Sequence, residues 1–182
     1  MKLLYLCAIF YTAKGQFEPL NIKPEKCYGT DELMDRRCCI FPPFFKRDVA
    51  RACGAMFTLM FIENEYNVTG MRREAIKTCD HWRCILSKYD LLDADDFVNN
   101  EKYYNHLDKW VDLNQEFSSV MSSAKMFCKE ENRLQMPLNV CDFFDFQGCI
   151  RNYITVDCPK IIKTQKCYEW KEFYEECKEF FI

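Results

Sequence analysis

Glycine is scarce in this chain, with five residues in 182, and histidine is scarcer, with His81 and His106 alone. Glycines so scattered exclude a phosphate-cradling loop, which needs several close together. No G-x-S-x-G turn is present to carry a hydrolase nucleophile. No Asn-Gly or Asp-Gly hairpin turn occurs, and no alternation of apolar and polar residues runs far, so strand signals are poor. Basic excess is lacking too: 25 Lys and Arg stand against 28 Asp and Glu, a net charge of −3. That balance argues against nucleic acid, whose phosphates need clustered Lys and Arg. Beyond residue 13 no uncharged run approaches the roughly 20 residues that span a bilayer.

The one long apolar run lies at the start. Lys2 precedes Leu3 to Ala13, and Ala13-Lys14-Gly15 offers small residues before a cut at Gln16. This is the layout of a secretory signal peptide, so residues 1–15 are expected to be removed and residues 16–182 to form a single domain. A buried N-terminal strand is the weaker reading, because no acidic residue appears before Glu18. Loss of Lys2 and Lys14 would take the net charge from −3 to −5.

Cysteine is abundant. Thirteen are present, and removing Cys7 with the signal leaves Cys27, Cys38, Cys39, Cys53, Cys79, Cys84, Cys128, Cys141, Cys149, Cys158, Cys167 and Cys177. An even dozen behind a signal peptide reads as up to six disulfides in an oxidising compartment. Zinc sites favour C-x₂-C pairs, none of which occurs, so no metal and no other cofactor is expected. Asn67-Val68-Thr69 is a glycosylation sequon, with Asn67 the acceptor in a loop before Gly70.

Between the cysteines the period is helical. Val49, Ala52, Cys53, Met56, Phe57, Met60 and Phe61 share one face of a helix expected from about Lys46 to Glu65. Met71 to Leu86 reads as one or two short helices. Asp93 to about Glu131 is too long for one helix in a small domain and is expected to break near Asp112–Asn114. A further helix is expected around Val140 to Tyr153. Thr164 is a plausible N-cap for a last helix bearing Cys167, Trp170, Tyr174, Cys177 and Phe181 on one side. The fold class is all-α, with about six to eight short, cross-linked helices.

Candidate chemistry is thin. The Cys38-Cys39 doublet invites comparison with secreted phospholipases, but Ile-Phe-Pro-Pro follows it rather than a His-Asp pair. Asp80-His81 beside Cys79 is the one displaced pair available. The carboxylate doublets Asp95-Asp96, Glu130-Glu131 and Glu175-Glu176 suit solvated helix faces. No catalysis is expected.

The cysteine spacing carries a resemblance. From Cys53, 25 residues lead to Cys79, four more to Cys84 and 43 to Cys128, while Cys149 and Cys158 are eight apart and Pro159 follows. This resembles the six-cysteine frame of insect odorant-binding proteins. The extra cysteines on both sides and the proline after the sixth resemble the Plus-C subclass. The family usually has three residues between its second and third cysteines; here Asp80 to Arg83 makes four. The resemblance implies a helical fold around an apolar cavity, with a C-terminal segment packed across it. It also implies bridges Cys53–Cys84, Cys79–Cys149 and Cys128–Cys158. Cys38 and Cys39 are adjacent and strained as a pair. Each is expected to reach a different element, the Cys167–Cys177 helix among them.

The implied function is that of a secreted carrier of small apolar molecules such as odorants or pheromones. It would be a monomer or weak homodimer in extracellular fluid, of which sensillar lymph is one case, and a membrane chemoreceptor is the implied receiving partner. Candidate pocket residues are Met56, Phe57, Met60, Phe61, Leu107, Trp110, Met121 and Phe127. Methionines suit an adaptable wall, and Trp110 could offer an indole N–H. Plain core packing is the competing role for each. The alternative function is a secreted protein-binding factor or inhibitor, with Phe44-Phe45 or Phe180-Phe181-Ile182 as an exposed contact patch.

Overall fold

Side-chain caps at Thr30, Asn99 and Thr164 and a glycine at position 54 set four of the helix ends. The computed structural model describes residues 22–55, 57–61, 69–73 and 79–182. A 3₁₀ turn, Glu25–Tyr28, leads into α1 (Asp31–Met34), whose N-cap Thr30 accepts from the Leu33 amide. Then come α2 (Arg47–Ala52), β1 (Phe57–Phe61), β2 (Thr69–Arg73), α3 (Cys79–Lys88) and α4 (Asn100–Asp112). The chain ends with α5 (Ser118–Glu131), α6 (Phe143–Val156) and α7 (Gln165–Cys177). The fold is helical, as the sequence period predicts, with one antiparallel ribbon that it does not. In that ribbon Phe57 lies opposite Arg73, and Phe61 opposite Thr69. Residues 1–15, Met56 and the sequon residue Asn67 lie outside the described residues.

The helix expected over Lys46 to Glu65 stops at Ala52. Gly54 adopts φ +88°, its amide donates to the Arg51 carbonyl, and the Ala55 amide donates back to the Ala50 carbonyl. This is a Schellman terminus, in which the left-handed residue is glycine because a Cβ would be strained there. Met71 to Arg73, read from sequence as helical, belong to β2. The break near Asp112–Asn114 is present: α4 ends at Asp112 and a 3₁₀ turn, Gln115–Phe117, leads into α5. The helix expected from Val140 starts three residues later. Asn139 Oδ1 accepts from the Cys141 and Asp142 amides and holds those residues in a turn. Thr164 caps α7 by accepting from the Cys167 amide.

All twelve cysteines of residues 16–182 are paired, and two of the bridges implied by the resemblance are corrected. Cys53–Cys84 is present. Cys79 pairs with Cys141 rather than Cys149, and Cys128 pairs with Cys149 rather than Cys158. Cys158 instead reaches Cys39. The interlocked order of first to third, second to fifth and fourth to sixth survives once Cys141 and Cys149 are counted as the fifth and sixth. The eight-residue spacing of Cys149 and Cys158 points one cysteine too far along. The doublet separates as expected: Cys38 binds Cys167 on α7 and Cys39 binds Cys158. Cys27–Cys177 closes the outer ring.

Helices α3 to α6 and the strap 41–45 bury the main core, in which α5 and α6 lie side by side, joined by Cys128–Cys149. Its face on α6 is the stripe Phe143, Phe146, Gln147, Ile150 and Ile154, at helical spacings of three and four. The C-terminal segment does not enter this core. Trp170 and Tyr174 of α7 pack with Cys38, Val156, Cys158 and Cys167 in a second cluster, flanked by Leu33 and Met34 of α1. Among the described residues no helix is long and apolar enough to cross a membrane.

Candidate functional site

The interior between the strap and α4 is aromatic. Phe41, Phe44, Trp110 and Phe117 meet with ring centroids 5.0 to 5.9 Å apart. The Trp110 indole N–H donates to the Pro43 carbonyl at 3.2 Å. His106 sits behind, stacked on Phe45, with Nε2 2.9 Å from the Phe44 carbonyl oxygen. The strap is therefore held by two α4 side chains through its own backbone. Prolines 42 and 43 have no amide hydrogens of their own to satisfy there.

The second wall is formed by α3, α4 and α6 around one ring. Phe143 on α6 meets Trp82 of α3 at 5.3 Å and Tyr103 of α4 at 4.9 Å, both edge to face. Gln147 lies one turn along α6 from Phe143. Trp82, Tyr103 and Gln147 are 4%, 1% and 3% exposed. Yet Trp82 Nε1, the Tyr103 hydroxyl and Gln147 Nε2 find no hydrogen-bond partner among the described residues. Burial pushes the Tyr103 pKa far above the ordinary phenol value, and neighbouring Tyr104 adds to the rise, so the hydroxyl keeps its proton. A buried polar atom without a partner costs about 1–3 kcal/mol. Two of them belong to rings packed on Phe143, and the third lies one helical turn from it.

The sequence-derived candidates divide. Leu107, Trp110 and Met121 are buried in the main core, and half-buried Phe127 packs against it, 5.5 Å from Tyr153. The structure therefore brings these four into one interior. Phe57, Met60 and Phe61 lie on β1 rather than on a helix face, and their side chains, like Met56, lie outside the described residues. Trp82, Tyr103 and Gln147 are absent from the sequence-derived set. Gln147 had a legible signal, an amide within an otherwise apolar stripe. Trp82 and Tyr103 had none, since their lack of partners arises only in three dimensions.

The residues weighed for other roles are engaged elsewhere. Asp80 pairs with Arg83 at 3.2 Å, and His81 packs with Nε2 against Gly54, so the two form no dyad. Asp96, Glu130, Glu175 and Glu176 pair with Arg83, Arg133, Lys171 and Lys26 at the surface. Among the described residues no group of His, Cys, Asp and Glu could hold a metal ion. Phe44 and Phe45 are core residues, which corrects the exposed patch expected there. At the other end Phe181 packs on Phe173 and Tyr174, leaving Phe180 to Ile182 half-buried.

Among curated proteins, the chain is similar to general odorant-binding protein 68 of Anopheles gambiae, with 22% identity over 161 residues. The match covers 81% of this chain and 71% of that protein. No family model matches the chain, and no solved structure matches it. The chain is a distant homologue of an odorant-binding protein, and the six disulfides formed by its twelve described cysteines fit the Plus-C pattern.

Proposed function

We propose that this protein is a secreted carrier that takes small hydrophobic molecules, of the odorant or pheromone kind, into an internal cavity bounded by α3 to α6 and the strap, and that it catalyses nothing. One observation supports this reading above the others. The interlocked bridges Cys53–Cys84, Cys79–Cys141 and Cys128–Cys149 tie α3, α5 and α6 and their flanking turns around an interior dominated by aromatic side chains. Helices held covalently need not close on one another when a ligand leaves. A guest that water rejects gains roughly 0.8 kcal/mol for each methylene buried, before the cost of association. Six disulfides favour an extracellular setting. Sensillar lymph and delivery to a membrane chemoreceptor are the finer parts of the same proposal.

The test is uptake of a fluorescent naphthylamine by the fully oxidised protein. Saturable micromolar uptake, reversed by small volatile compounds, is the expected result. A monodisperse, thiol-free, helical sample that takes up no probe would contradict the proposal and shift attention to protein partners.

A further inference from the structure

The three unpartnered polar atoms of Trp82, Tyr103 and Gln147 share a chemical sense. An indole nitrogen can only donate, the Tyr103 hydroxyl retains a proton to donate, and the Gln147 amide nitrogen donates. Two of the side chains are placed by their edge-to-face contacts with the same ring, and the third by the α6 stripe, one turn away. They come from three different helices, so no single local motif accounts for them. A leucine at 147 would continue the apolar face of α6 without the desolvation cost of an amide. Nearby Tyr104 does not share the arrangement: its hydroxyl also lacks a partner, but the side chain is half-buried and lies under Lys125. Trp170, another indole without a partner, belongs to the second cluster with α7.

We infer that Trp82 Nε1, the Tyr103 hydroxyl and Gln147 Nε2 form a donor site for one hydrogen-bond acceptor atom, so that the preferred guests are apolar molecules carrying a ketone, aldehyde or ester oxygen rather than hydrocarbons. This assignment rests on the carrier reading and narrows its ligand class. The alkyl part of the guest would lie against the aromatic interior, with its oxygen at Phe143. Each donor satisfied in a dry site contributes about 1 kcal/mol net, or about fivefold in affinity.

Competition against the naphthylamine probe separates the possibilities. The pair 2-octanone and octane would be measured on the wild type and on Tyr103→Phe and Gln147→Leu. Both substitutions remove an unpartnered polar atom at nearly constant volume, so both variants should fold. The assignment predicts that each variant weakens 2-octanone about fivefold and leaves octane within about twofold. It also predicts that the Trp82 indole N–H resonance, identified with Trp82→Phe, moves downfield on adding 2-octanone and stays in place with octane. Equal losses for both guests, or no loss for either, would overturn the donor site while leaving the carrier intact. Absence of saturable probe uptake by the wild type would overturn both.

Discussion

His106 Nε2 lies 2.9 Å from the carbonyl oxygen of Phe44, while the imidazole stacks on Phe45 at 5.0 Å and 12°. Together with Trp110, this side chain clasps the strap to α4. Burial lowers the His106 pKa below its ordinary 6.5; the Phe44 hydrogen bond favours the charged form but is outweighed, and Lys109 adds to the lowering. Below about pH 6.5 the unfolded chain takes up a proton that the folded chain still refuses. Stability is therefore full above 6.5 and is lost as pH falls toward the lower folded value. The urea midpoint should drop between pH 7 and pH 5, and His106→Asn should flatten that drop. An unchanged slope in the variant would show that His106 does not carry it.

The three bridges around α7 should not act independently. Cys39 and Cys158 are 119 residues apart, a separation that in isolation suggests about 5 kcal/mol of loop-closure stabilisation. With Cys38–Cys167 intact, however, the remaining path through the neighbouring bridge is only about ten residues, for which the same account gives about 3 kcal/mol. The double variant Cys39→Ser, Cys158→Ser should lose about 3 kcal/mol in urea unfolding. A loss near 5 kcal/mol would mean that the bridges do not share a loop.

Gly54→Ala should destabilise by about 1–3 kcal/mol. Residue 54 lies at φ +88°, and an added Cβ would stand 2.7 Å from His81 Nε2. Loss of the Schellman terminus would extend α2 toward the ribbon and strain Cys53–Cys84. Thermal unfolding reads this directly. A variant as stable as the wild type would show that the glycine stop is not needed.

Those bridges and that glycine show what could be read from residues alone. The period of Leu107, Trp110, Met121 and Phe127 was legible, as were the break after Asp112 and the Thr164 cap, because each depends on neighbours within a turn. The ribbon was not: Val49 to Phe61 keeps a helical period through Gly54, and only the left-handed conformation there reveals the stop. The pairings of Cys141, Cys149 and Cys158 were hidden because two nearly equal spacings, seven and eight residues, compete in the chain. The donor site was hidden because whether Trp82 and Tyr103 have partners is a property of packing between helices.

Met121 is fully buried on α5, between core neighbours rather than at the surface. Met121→Ala should cost about 2–5 kcal/mol of stability, as other large-to-small core changes do. It should also enlarge the interior and improve uptake of bulkier guests relative to octane. A variant with unchanged stability and unchanged guest preference would place Met121 outside the working interior.

The most direct test of the account is calorimetric titration of 2-octanone into the fully oxidised protein at several temperatures. A single saturable site with a negative heat-capacity change is expected, because apolar surface leaves water, with affinity above that of octane measured by competition. Heats that never saturate at any temperature, from a folded and thiol-free sample, would contradict it.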